Sequence, residues 1–261
     1  MALKYKLQQY IRYKLKAKNE YSLHSPFMFE LYKEVFKKAK KSDTAFDLIE
    51  KKRKALLKDH SIIQFNDLGA GAKKTKSSER KISAISKNTS KAKKYGRFLA
   101  ALANYLKSSS ILELGTSIGI STMYLAEKNK KATITTIEGD TIIKKVAADN
   151  FNELGHKNIY SIEGNFDYTL PILLTKNSYD FIFIDGNHTY EATLRYFELF
   201  KNVAKSNTVI VFDDIYWNLE MTKAWKKIIS DKKVTATIDM FEFGIVFFNE
   251  NLAKQDFVLR Y

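Results

Sequence analysis

The chain has 261 residues, 45% of them hydrophobic and 28% charged, which fits one large α/β domain with an extension or two small domains and excludes wholesale disorder. It contains no cysteine, excluding disulfide frameworks, thiolate zinc sites and cysteine nucleophiles and fitting a reducing compartment. The formal net charge is +15, and all the excess lies early: residues 1–100 hold 26 Lys and Arg against 9 Asp and Glu (+17), and residues 101–261 hold 18 against 20 (−2).

The opening MALKYKLQQYIRYKLK lacks the uninterrupted apolar core of a secretory signal. No later stretch reaches the ~18 apolar residues of a spanning helix, so a cytoplasmic protein is expected. Residues 1–60 read as helical, with apolar and aromatic residues among lysines. Ser25-Pro26 marks a helix start, a serine N-cap before proline at the first helical position. The basic block is read first as a solvated surface and second as a docking surface for nucleic acid, anionic lipid or an acidic substrate. FNDLGAG (65–71) is an acid followed by a glycine turn and reads as structural. Residues 72–94 are polar, suggesting a loop with at most a short helix. Residues 95–106 have apolar positions at helical spacing.

From residue 110 the pattern alternates. Strands are expected at 111–114, 133–138, 159–163, 180–185 and 208–213, with helices near 119–128, 141–153, 168–175, 188–204 and 215–231. Short apolar strands with helical crossovers imply a parallel sheet covered on both faces. VTATIDM and FGIVFF, flanking residues 241–243, are too close for a crossover helix and form an antiparallel hairpin. The expected division is a basic helical extension with a polar loop over 1–94 and an α/β domain over 95–261.

The segment ILELGTSIGISTMYLAEKNKKATITTIEGD carries the strongest chemical signal. One strand ends in Glu113, Gly115 and Gly119 turn the chain into a helix, and a second strand ends in Glu138, 23 residues beyond Gly115. The glycines let backbone amides approach a ligand, and the acid can accept two hydrogen bonds from ribose hydroxyls. Ser117 and Ser121 stand where they can bind a carboxylate. Gly164, Asn165 and Phe166 follow the third strand, with Asp167 beside them, and Asp185 ends the fourth.

These motifs resemble the first two cofactor motifs of class I S-adenosylmethionine (SAM)-dependent methyltransferases, whose Rossmann-like architecture is a parallel sheet with a C-terminal antiparallel hairpin. The resemblance covers roughly 95–250. It implies SAM as cofactor, with Glu113, Gly115, Ser117, Gly119, Ser121, Glu138, Gly164, Asn165, Phe166 and Asp185 around it, Asn165 or Asp167 meeting the adenine amine and Phe166 stacking on the ring. Asp185 and, 28 residues later, Asp213-Asp214 resemble the cation ligands of the catechol- and caffeoyl-CoA-type O-methyltransferases, whose corresponding pair is Asp-Asn. The resemblance implies Asp185, Asp213 and Asp214 as ligands of Mg²⁺, a hard cation that prefers oxygen donors. Where those enzymes carry a lysine base, three residues after the metal aspartate, this chain has His188, an imidazole suited to accept a hydroxyl proton. Catalysis is therefore assigned to His188 and Asp185.

The residues after Asp185 are Gly186-Asn187-His188, and Pro-Pro occurs nowhere, which disfavours the usual nucleic-acid amino-methyltransferases and leaves ribose methylation open. The expected function is O-methylation of a small hydroxylated acceptor with a divalent cation. The alternatives are a methyltransferase for an anionic or macromolecular acceptor (a lipid or glycan precursor, or RNA ribose) docked by the basic segment, with peripheral membrane contact, and a non-catalytic SAM-binding module. A homodimer is left open.

Overall fold

The computed structural model describes residues 2–65, 78–89 and 93–261. Residues 66–71 of the FNDLGAG turn lie outside them. The chain opens with α1 (Ala2–Lys16) and α2 (Pro26–Leu31), which widens through a π-helical stretch, Tyr32–Lys37, and tightens through Lys38–Lys40; α3 (Asp47–Leu56) follows. Ser25 caps α2, its Oγ accepting from the Met28 amide, with Pro26 at the first helical position as expected. Next come β1 (Ile62–Phe65), β2 (Ser78–Lys81), α4 (Ile82–Thr89) and α5 (Lys93–Tyr105).

The alternating part is β3 (Ser110–Leu114), α6 (Ile120–Lys128), β4 (Thr133–Glu138), α7 (Thr141–Glu153), β5 (Ile159–Glu163), α8 (Phe166–Lys176), β6 (Phe181–Ile184), α9 (Tyr190–Val203), β7 (Val209–Asp213) and α10 (Leu219–Ile229). It ends in β8 (Ala236–Asp239), β9 (Phe243–Phe247) and β10 (Gln255–Val258). The main sheet has the order β10-β8-β9-β7-β6-β3-β4-β5, in which β9 alone runs antiparallel to its neighbours. The order reverses at β3, flanked by β4 on one side and the later β6 on the other, and ligands bind outside the carboxyl ends at such a switch point.

Both sheet faces are buried, because side chains alternate along each strand. Ile111, Phe181, Phe183, Val209 and Val211 join one cluster with Phe98 and Leu102 of α5. Leu112, Ile182, Ile184, Ile210 and Phe212 join another with α8, α9 and α10. Helix α2 and its continuation are part of the first cluster: Met28, Leu31, Val35 and Phe36 are fully buried there, each contributing about 1.5–3 kcal/mol. α1 lies across the β8–β9 connection. Tyr13 Oη donates to the Leu259 carbonyl at 2.6 Å, and the Tyr10 ring meets Phe241 edge-on at 5.0 Å. No helix among the described residues is long and apolar enough to cross a membrane.

Two expectations need correction. Residues 72–94, read as a loop with at most a short helix, contain such a helix in α4 but also β2, which pairs antiparallel with β1 (Ile62 opposite Lys81), and the first turn of α5. SERK carries no apolar residue, and pairing through backbone and through Gln64–Glu79 at 3.0 Å leaves no hydrophobic trace in β2. The sheet also does not finish at the hairpin: β10 adds in parallel to β8 and covers an edge that would otherwise be open. Its segment QDFV has one buried residue, Phe257, too little for a periodic signal.

Because residues 26–40 share a core with the sheet, Phe36→Ala is expected to cost about 3–5 kcal/mol in a single urea transition for the whole chain. A separate early transition, with the sheet's midpoint unchanged, would show the segment to be an independent unit.

Candidate active site

At the carboxyl end of β3 the chain turns through Gly115 (φ 98°), Ser117 (φ 47°) and Gly119 (φ 83°). Positive φ favours glycine at Gly115 and Gly119, and space requires it. A Cβ on Gly115 would lie 2.0 Å from the Asp185 carbonyl oxygen, and one on Gly119 would lie 2.3 Å from the Phe151 ring. Gly119 is the N-cap of α6, so the first-turn amides of that helix point back toward the sheet edge, while the amides of Gly115, Thr116, Ser117 and Gly119 are engaged within the turn and by β4.

Glu138 ends β4 beside this turn. Its Oε2 accepts from the Ser117 amide at 2.8 Å and its Oε1 from the Asp140 amide at 3.2 Å. Burial raises its pKa against these backbone hydrogen bonds. The Gly139 amide also bonds this carboxylate, so of its roughly four acceptor sites about one is left for a ligand hydroxyl. Glu113 stands beneath the turn, fully buried. Thr122 and Thr136 donate to its Oε2 at 2.5 and 2.7 Å, and Ser121 also hydrogen-bonds the carboxyl. Its Oε1 has no protein partner. Burial pushes its pKa up to about 7, with the three hydroxyls opposing.

A cleft opens above these residues, lined by Tyr95, Gly115, Ser117, Ser121, Asp185 and Phe243 among others. Tyr95 and Phe243 carried no recognised signal. The trace of Tyr95 is its neighbour: Gly96 sits in the first turn of an amphipathic helix because a Cβ there would lie 2.4 Å from the Tyr124 ring. Gly164, Asn165 and Phe166 lie one strand further, after β5. Asn165 caps α8 through the Asp167 amide at 2.8 Å, and Phe166 packs against Gly186 and edge-on to Tyr196. Asp167 makes a two-pronged ion pair with Arg195, both contacts 2.9 Å.

The fourth strand delivers Asp185 and, after a left-handed Asn187, His188. His188 is not the cap of the next helix: Thr189 is, accepting from the Ala192 amide. His188 Nε2 lies 3.5 Å from Asp185 Oδ1. Asp213 at the end of β7 is buried, and ligand atoms of Asp185, His188 and Asp213 all fall within 4.8 Å of one another. Two carboxylates and an imidazole at that spacing fit a divalent cation. The side chain of Asp214 is not in this group. Its backbone is left-handed (φ 52°), and its Oδ1 faces Lys6 of α1 at 3.6 Å. Lys6 also reaches Glu242 at 3.6 Å and the Trp217 ring at 5.5 Å. The first helix therefore abuts the rim of the cluster.

Residues 112–215 match the family described as Methyltransferase domain. Over 124 residues the chain is 32% identical to a catechol O-methyltransferase of Niastella koreensis, a match covering 46% of this chain and 55% of that protein; the chain thus spans about half the length of this curated relative. Among solved structures it is similar to the O-methyltransferase from Bacillus cereus in complex with SAH (TM-score 0.58, 16% identity, 79% of this chain and 90% of that one). It is also similar to the O-methyltransferase TomG from Streptomyces achromogenes, involved in tomaymycin synthesis and solved in complex with SAM (TM-score 0.55, 20% identity, 61% and 82%). The fold of this chain is the Rossmann-like fold that these methyltransferase structures share, and its residues 112–215 are similar to a methyltransferase domain.

Glu113 gives a pH signature. A folded-state pKa raised above the unfolded value costs nothing below about pH 4.5, where both states are protonated, and destabilises increasingly as pH rises through about 7. Glu113→Gln should therefore match the wild type near the lower limit and exceed it by on the order of 3 kcal/mol well above the upper one. Urea midpoints across that range measure the difference, and parallel curves would place the folded pKa near its ordinary value.

Proposed function

We propose that this chain is a SAM-dependent methyltransferase that methylates a hydroxyl of a small acceptor, assisted by a divalent cation. One observation carries this reading: Asp185 lines the cleft above the glycine turn and also belongs to the Asp185–His188–Asp213 cluster, so cofactor and acceptor sites share a residue. In the proposed complex the first-turn amides of α6 and Ser117 receive the methionine part of SAM, Glu138 accepts from a ribose hydroxyl, and Glu113 acts beneath them as a positioning residue. Gly164, Asn165 and Phe166 bound the adenine side.

Asp185, His188 and Asp213 would hold the cation, which when bound supplies the Lewis acidity that lowers the pKa of a coordinated hydroxyl. The acceptor oxygen gives up its proton to water and takes the methyl carbon, and the sulfur keeps the bonding pair, leaving S-adenosylhomocysteine. The protein's task is alignment of oxygen, carbon and sulfur in the cleft. A second reading makes His188 the base acting directly, favoured by the Asp185 carboxylate 3.5 Å from its Nε2, which would stabilise the imidazolium. Asp214 serves the contact with α1 in either reading. Residues 1–94 act as the acceptor-selecting lid and 95–261 as the SAM-binding domain. The Lys6 contacts and the similarity to a catechol O-methyltransferase support this assignment.

Calorimetry should show S-adenosylhomocysteine binding, weakened by about 1.5–3 kcal/mol in Glu138→Ala through loss of charge-assisted hydrogen bonds; unchanged affinity would place the ribose elsewhere. Asp185→Asn and Asp213→Asn should abolish the thermal stabilisation given by Mg²⁺ or Mn²⁺, while Asp214→Asn keeps it. Full turnover after exhaustive chelation would refute the cation and leave His188 as base.

A further inference from the structure

Helix α1 has two working faces. Tyr13 and Ala17 are buried against the fold, and Tyr10 and Lys6 also reach it. The opposite side carries Leu7, Ile11 and Leu15, 58, 52 and 83% exposed. Spaced four apart, they form one stripe along the outward surface of the helix. Lys4, Arg12, Lys14, Lys16 and Lys18 are exposed around it, and no Asp or Glu precedes Glu20.

We propose that this outward face of α1 docks on an anionic lipid bilayer, with the helix lying in the plane of the interface. An apolar stripe bordered by cations is what such a position requires: the leucines and isoleucine enter the acyl boundary while the lysines stay at the headgroups. The charge pattern argues against a second copy of the chain, which would bring two uniformly basic helices together. Nucleic acid would satisfy the lysines and leave the stripe in water. Fifteen residues make a helix of about 22 Å, too short to span and long enough to lie on the surface. The inner face holds the helix on the fold, so docking requires no unfolding. It would also set the rim of the Asp185–His188–Asp213 cluster, which Lys6 touches through Asp214, close to the membrane. This inference does not depend on methyl transfer.

Flotation of the full chain with vesicles tests it. Binding is expected to vesicles of phosphatidylcholine mixed with phosphatidylglycerol, to be far weaker with phosphatidylcholine alone, and to fall as salt is raised. The triple variant Leu7→Gln, Ile11→Gln, Leu15→Gln should lose binding while keeping the wild-type urea midpoint and circular dichroism. Lys14→Gln with Lys16→Gln should weaken partitioning about fivefold per charge removed. Three results would each overturn the proposal: no flotation with either vesicle, undiminished binding by the triple variant, or a dimer in light scattering that the triple variant converts to monomer.

Discussion

The structure turns on one close approach. The backbone of Gly115, leaving β3, lies against the carbonyl of Asp185, leaving β6, with no room between them for a methyl group. The two strands are neighbours at the point where the sheet order reverses, and the Asp185 amide donates to the Leu114 carbonyl at 2.8 Å. The glycine turn and the residue that opens the acidic cluster are therefore held by the same contact. Larger residues at Gly115 would separate the strand ends and the two halves of the site together.

What lies under this contact is polar, and that is unusual for a core. Glu113 is sealed beneath the turn with Thr122, Thr136 and Thr116 in one hydroxyl network. A buried carboxyl at the edge of ionisation costs stability that an apolar residue would not, and one of its oxygens faces no protein donor. Such an arrangement fits a fixed acceptor beneath the glycine turn. The N-terminal helices contribute at a different level. Residues of α2 fill the core on one face of the sheet, while α1 touches the rim of the cluster through Lys6.

The sheet was legible because its strands are short, apolar and separated by helical spacing, so periodicity alone locates β3 to β9 within a few residues. The glycine turn and the placing of Glu138 beside it were legible because close backbone approach demands glycine and because one crossover helix fixes the spacing between the two strand ends. The acidic cluster at the ends of β6 and β7 was only half legible. Adjacent residues Asp213 and Asp214 look equivalent in sequence, yet the left-handed backbone at Asp214 turns its side chain toward Lys6, and His188 takes the third place in the cluster. That outcome depends on a single φ and on a lysine more than two hundred positions away, neither visible to local pattern. Strands β2 and β10 escaped for the opposite reason: their pairing is satisfied by backbone, so their side chains carry little apolar signal.

The most direct test of the shared contact is the affinity of S-adenosylhomocysteine for Gly115→Ala, measured by calorimetry beside the wild type. A methyl group there must displace the Asp185 carbonyl and adopt a positive φ, so affinity should fall by more than about tenfold, the equivalent of 1.4 kcal/mol or more. Wild-type affinity in a folded Gly115→Ala protein would show that the cofactor does not sit on this turn, and the joined site described above would be wrong.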